Sequence, residues 1–235
     1  KRSHSCCGEP HAATTRRAGA NLHARTGRRS GVTVDLVAGT VEGNGFTDTI
    51  SGFEAVLDQR LRVLAAIESM DKPSIATLYG YCLGGGLELP LACHFRLAAS
   101  EGARIGLPEL DLGTVPAWGG TARLTRCVGR DQALDMILRA RKIDGEHALR
   151  IGLVHEVHPV AELKAAAHSL AQDLSAMPPR AVAGVLRCVV GAGDAPLQDA
   201  LAEERRAVLA CSGTADQMEG MRAFLEKRRP VFTGE

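Results

Sequence analysis

Residues 72–93 read KPSIATLYGYCLGGGLELPLAC. Ser74 to Tyr79 is a short run, apolar enough for a strand inside a buried sheet. Gly80 to Gly86 then forms a glycine-rich turn, and an apolar helix runs through Leu87, Glu88, Leu89, Pro90 and Leu91. Pro90 removes one helical hydrogen bond and is expected to bend that helix. Three successive glycines, 84–86, let the backbone come close to a ligand. At a helix entry their N–H groups lack helical partners and the dipole favours negative charge. Such a turn can hold a phosphate or a developing oxyanion. It can equally serve only for tight packing of a strand on a helix. A dinucleotide fingerprint fits badly, because the spacing is not G-x-G-x-x-G and Glu88 would repel a pyrophosphate.

Working outward, Phe53, Val56, Leu57, Leu61, Leu64, Ile67 and Met70 recur at helical spacing with charges between them. This predicts a helix over 53–70, stopped at Asp71-Lys72-Pro73. Residues 31–46 read as one or two short strands ending at Gly43-Asn44-Gly45. On the C-terminal side, Phe95–Ala99 reads as a strand and Ile105–Glu109 as a short extended piece. Gly119-Gly120-Thr121 opens a helix through about Val128. Further helices are predicted over 131–140, 144–151, 160–176, 180–190, 195–210 and 214–228, interrupted by a strand at Leu153–Val157. Strand and helix alternate first and helices follow, which predicts one α/β core with a helical appendage.

The chain has 235 residues, 45% apolar and 23% charged, enough to bury a sizeable core without staples. Aromatic residues are only 3%, which argues against a stacking platform for single-stranded nucleic acid. Net charge is +1 but unevenly placed. Residues 1–34 carry Lys1, Arg2, Arg16, Arg17, Arg25, Arg28 and Arg29 against Glu9 alone, a local +6 that leaves the rest at −5. Residues 1–30 therefore read as a basic, weakly ordered leader, because so little can be buried there. A transit peptide, a phosphate- or membrane-attracting arm, or disguised first strands of the fold are the competing readings. The odd count of seven cysteines, without a C-x-x-C pair, predicts reduced thiols in a cytosol-like compartment. Cys82, Cys93, Cys127 and Cys188 sit among apolar neighbours, where cysteine acts as a small hydrophobe. Apolar runs fall far short of the ~18 residues a membrane span needs.

Two acids stand in apolar frames. Glu88 lies among leucines, where burial would raise its pKa and the helix N-terminus would lower it. Glu109 follows Ile105-Gly106-Leu107-Pro108, with Pro108 stiffening the approach. Two carboxylates on separate elements can share acid and base duties. Each can also be a solvated acid, and spacing alone does not make them converge. His155-Glu156-Val157-His158 lacks the H-E-x-x-H spacing, so no metal site is expected. The absence of a G-x-S-x-G elbow argues against an α/β-hydrolase.

Taken together, several stretches closely resemble the enoyl-CoA hydratase/isomerase (crotonase) family. They are residues 72–89, LACHFRLAA at 91–99, GLPELDLGTVPAWGGTARL at 106–124, GLVHEVHP at 152–159 and EGMRAFLEKRRPVF at 219–232. The likeness covers about residues 53–235. It implies an α/β spiral of ββα units over 31–160 and a helical oligomerisation region over 161–235 that builds trimers or hexamers. It implies an acyl-CoA thioester as substrate, with Gly85 giving one backbone N–H of an oxyanion hole. Glu88 and Glu109 fill both catalytic-acid positions of the hydratases, whereas related isomerases commonly keep only the second. The second oxyanion donor falls in Phe46-Thr47-Asp48-Thr49-Ile50, at Asp48 or Ile50. This stretch keeps almost none of the family pattern there. Ala117 and Trp118 replace smaller residues common at that turn, which narrows the expected acyl pocket. His94 stands where the family usually has Asp.

The function expected on this resemblance is reversible hydration of a trans-2-enoyl-CoA to a 3-hydroxyacyl-CoA. Glu88 would activate the water and Glu109 would deliver a proton. No metal or redox cofactor is implied, coenzyme A being part of the substrate. Lys227, or Arg228, would meet its phosphates. No nucleic acid or membrane partner is expected, and the compartment implied is cytoplasmic. The alternatives are another crotonase-type isomerase or C–C lyase, and a non-catalytic acyl-CoA-binding or assembly subunit.

Overall fold

A computed structural model describes residues 32–34 and 50–235, with side chains from Glu54 onward. The 1–30 leader, Asp48 and most of the 31–46 strand region therefore lie outside the described residues. From the latter, only the strand β1 (Val32–Val34) is described. The predicted first helix is α1 (Ile50–Glu68). Its apolar stripe is only partly covered. Leu64 is buried, while Val56 and Leu61 stay exposed.

Two ββα turns follow, and they set the architecture. The first is β2 (Ser74–Leu78), β3 (Tyr81–Leu83) and α2 (Gly85–Ala92). The second is β4 (Phe95–Ala99), β5 (Arg104–Gly106), a 3-10 turn over Glu109–Leu112, and α3 (Gly120–Val128). In each turn the first strand joins one parallel sheet and the second strand joins another. The larger sheet runs β1-β2-β4-β6, with β6 at Glu156–His158, and the smaller pairs β3 with β5. The register carries Ile75 onto Phe95 and Leu83 onto Gly106. This is the ββα spiral that the sequence implied.

Three local expectations needed correction. The stretch read as a glycine turn contains β3, whose residues find ladder partners only when β5 lies alongside. The extended piece at 105–109 divides into β5 and the 3-10 turn. The strand expected at Leu153–Val157 begins three residues later. Leu153 and Val154 donate instead to the Ala148 carbonyl, closing the helix α5 (Gly145–Arg150) before the sheet resumes.

All five residues of β2 are buried, as a parallel strand covered on both faces requires. Both α2 and α6 (Val160–Ser175) pack on β2 and β4. Leu78, Leu87, Leu97, Ile105, Leu107, Leu124, Met136 and Leu153 fill the core. Arg96 of β4 is buried without a carboxylate partner among the described residues. Its guanidinium donates to the carbonyls of Cys93, Pro90 and Leu153. The negative end of α2 thus satisfies a charge that would otherwise be costly to bury.

The helix α4 (Arg130–Leu138) completes the core side. Beyond α6 come α7 (Pro179–Ala192), α8 (Leu197–Cys211) and α9 (Ala215–Leu225), close to the predicted ranges. Gly184 lets α7 approach α8, since a Cβ there would lie 3.0 Å from the Ala207 Cβ. No helix among the described residues is long and apolar enough to cross a membrane.

Candidate active site

Parallel pairing of β3 and β5 decides what meets what. Both strands end on the same side, so the glycines after β3 and the acid after β5 emerge as neighbours. Ligands of open α/β folds commonly bind at such carboxyl ends. The Gly84 N–H donates to the Gly106 carbonyl at 3.1 Å, which continues the ladder past Leu83. Gly84 then turns with φ 56° and ψ −124° to start α2. A side chain is excluded there twice over. The φ is left-handed, and a Cβ would lie 2.9 Å from Glu109 Oε1.

Gly85 is the first residue of α2, and its N–H finds no acceptor among the described residues. An N–H so placed is available to a ligand oxygen. The Gly85 Cα is covered by the Trp118 indole, with Cζ3 only 2.2 Å from where a Cβ would stand.

Glu88, one turn later, is buried, at 2% exposure. This decides against a solvated helix-start acid. Its Oε1 accepts the N–H groups of Trp118 at 2.8 Å and Gly120 at 3.0 Å. Charge-assisted bonds to backbone donors fix a carboxylate firmly. Oε2 accepts no hydrogen bond among the described residues. Gly120 must be glycine for this contact, since a Cβ would sit 2.8 Å from Glu88 Oε1.

Glu109 opens the 3-10 turn and is half-buried. Its Oε2 is buried and has no hydrogen-bond partner among the described residues. Burial pushes the Glu109 carboxyl above the ordinary carboxylate range. A backbone N–H opposes this, and the charge of Glu88 adds to it. The two acids therefore converge, which their spacing could not establish.

Trp118 is anchored on several sides. The Arg60 guanidinium of α1 lies 4.1 Å from its ring centroid. Arg123 donates to the Trp118 carbonyl at 3.1 Å while pairing with Glu68 of α1 at 2.8 Å. The backbone donors to Glu88 and the Arg60 stack were not visible in the sequence. The Trp-Gly-Gly run ahead of a helix was the only available hint.

Other residues singled out in the sequence fall elsewhere. Ile50 begins α1, where its N–H has no helical acceptor, while Asp48 is not described. Lys227 is exposed just past α9 with a left-handed φ of 53°. Arg228 is taken up by Glu219 and Glu226, and it holds the Glu219 carboxyl down to about 2. His94 Nδ1 bonds Ser74 rather than either acid. His155 accepts from the Arg96 N–H and His158 pairs with Glu156. Cys82 and Cys93 are buried, and burial raises both thiols to about 11.

A family model for enoyl-CoA hydratase/isomerase matches residues 11–235. The chain belongs to the enoyl-CoA hydratase/isomerase family. It is 42% identical over 170 residues to a protein named probable enoyl-CoA hydratase from Mycobacterium bovis, covering 72% of this chain. That alignment spans 65% of the mycobacterial protein. It is 38% identical over 177 residues to the 2,3-dehydroadipyl-CoA hydratase of Escherichia coli, covering 75% of this chain and 69% of that one. Among solved structures, an enoyl-CoA hydratase from Bacillus anthracis superposes with a TM-score of 0.76 at 34% identity. It covers 80% of this chain and 73% of its own. Membership of the family and the crotonase-type α/β fold thus rest on the whole described core.

Proposed function

We propose that this chain hydrates a trans-2-enoyl-CoA thioester to a 3-hydroxyacyl-CoA, reversibly. One observation carries the reading. Two electrostatically coupled carboxylates lie near a backbone N–H without a partner among the described residues, in a member of the enoyl-CoA hydratase/isomerase family. The thioester oxygen would accept the Gly85 N–H and a second donor near Ile50. Charge building on that oxygen makes C3 electrophilic, and one such donor is typically worth ~3–4 kcal/mol.

Glu88 would take a proton from water as the water oxygen bonds to C3. The C2=C3 electron pair moves toward the thioester, and C2 then takes a proton from Glu109. The raised pKa of Glu109 favours its acid role, and the backbone-anchored Glu88 suits the base. Exchange with solvent restores both groups. The chain supplies these steps from its own residues and needs no metal or redox group for them. Lys227 is the proposed contact to the phosphates of coenzyme A.

We further propose assembly into trimers or hexamers. Exposed apolar residues along the helical arm support it, including Val185, Val189, Leu197, Leu201 and Leu209. A cytoplasmic setting remains the expected compartment.

The deciding experiment is a spectrophotometric assay with crotonyl-CoA. Loss of the conjugated thioester absorbance with 3-hydroxybutyryl-CoA as product is expected. A shifted double bond without water addition would overturn the reading in favour of an isomerase. Tight binding without turnover would favour a non-catalytic acyl-CoA-binding subunit.

A further inference from the structure

We propose that the Trp118 indole sets the acyl-chain length this site accepts, and that Arg60 is the positioning residue that holds the indole in place. The inference rests on the hydratase reading above and adds a substrate class to it, short unbranched acyl chains.

The backbone of Trp118 cannot move independently of the chemistry. Its N–H is bonded to Glu88 Oε1 at 2.8 Å, and its carbonyl accepts from Arg123 at 3.1 Å. From this fixed root the side chain reaches Gly85. Its Cζ3, Cη2 and Cε3 atoms stand 2.2, 2.8 and 2.9 Å from where a Gly85 Cβ would be. One edge of the indole thus lies on the residue whose N–H would take the thioester oxygen. The ring thus lies against the donor residue, while the Trp118 backbone is bonded to Glu88.

An enoyl thioester with its oxygen on Gly85 and C3 facing Glu88 has its first carbons beside the indole. The C2=C3 bond is planar and conjugated, so the chain cannot fold away at once. Carbons beyond the first few must displace the ring or detour around it. A rigid aromatic wall has only two side-chain torsions through which to yield.

Arg60 backs the ring from α1. Its guanidinium lies 4.1 Å from the ring centroid, a cation–π distance. It comes from α1, which the Glu68–Arg123 ion pair ties to α3. The wall is therefore held from α1, α2 and α3 together.

The test compares kcat/KM for crotonyl-CoA and trans-2-decenoyl-CoA in the intact chain and in Trp118→Ala, Trp118→Phe and Arg60→Ala. The unaltered chain is expected to favour the four-carbon thioester. Trp118→Ala should raise the ten-carbon to four-carbon ratio by ~10-fold or more, the range one or two methylenes are worth in an apolar pocket. Trp118→Phe should shift it less. Arg60→Ala should shift it in the same direction by about 3-fold. Because Trp118 is the sole tryptophan, Arg60→Ala should also change the intrinsic emission and its response to butyryl-CoA.

Trp118→Phe and Arg60→Ala keep the test alive if Trp118→Ala fails to fold. Dissociation constants for butyryl-CoA and decanoyl-CoA are measured by calorimetry in the same proteins. Turnover of crotonyl-CoA with an unchanged ratio in all three variants overturns the length gate alone. No turnover of either thioester, with the binding ratio still shifted, overturns the hydratase reading and supports the gate.

Discussion

The ββα core and the helical arm solve burial in opposite ways. In the core, each turn of the spiral covers the last, and Leu78, Leu87, Leu97, Ile105 and Leu107 are completely buried. In α7, α8 and α9, comparable residues stay open. Val189 is 69% exposed, Leu201 54% and Phe224 83%. Helical patterning is clear in both regions, so patterning does not explain the difference. The core is closed by the chain itself, whereas the apolar surface of the arm stays open among the described residues, which is the ground for the proposed assembly. The proposed chemistry lies in the self-closed part, where a buried carboxylate is held by backbone donors.

The largest expected effect separates the two regions directly. Leu97→Ala in the core should cost ~2–5 kcal/mol at any protein concentration, because it leaves a cavity. Leu201→Ala in the arm should lower Tm mainly at low concentration, as expected when assembly contributes to stability. Thermal unfolding across a hundredfold dilution series reads both. If the unaltered chain sediments only as a monomer at micromolar concentration, no second copy covers the arm.

Next come the acids. Glu88→Gln and Glu109→Gln should each lower kcat by ~10²-fold or more while leaving sedimentation unchanged. Val189→Lys should do the reverse at first, shifting sedimentation toward monomer. Near-normal hydration by either glutamine variant would remove that residue from its proposed role.

The smallest effect concerns the protonation of Glu109 in the core. Glu109 ionises more reluctantly in the folded chain, chiefly through burial and also through Glu88. The folded state then holds the proton over a window starting near ~4.3, the ordinary glutamate value. Stability falls as pH rises through that window, because there the folded chain binds more protons than the unfolded one. Glutamine does not titrate. The Tm advantage of Glu109→Gln should be smallest near pH 4 and grow as the pH rises toward 8. A difference that stays flat with pH would mean that Glu109 is not held in its acid form by its surroundings.

By itself the sequence determined the kinds of element and most of their order. Apolar spacing marked α6 to α9 closely, and the glycines at 119–120 marked the start of α3, because these signals are local. It also named both acids, through their apolar frames and the family motifs around them. It missed β3 and displaced β6, because a three-residue strand such as Tyr81–Leu83 or Glu156–His158 is defined by its ladder partner and not by its own residues.

Only the tertiary structure decided that Glu88 and Glu109 come close enough to feel each other's charge. They are twenty-one positions apart and belong to successive turns of the spiral. Their meeting follows from the parallel register of β3 on β5, a long-range pairing that no local pattern encodes. The same holds for the Trp118 and Gly120 donors to Glu88 and for Arg60 over the indole. Backbone N–H groups are present at every residue except proline, so sequence cannot say which of them a buried carboxylate will use.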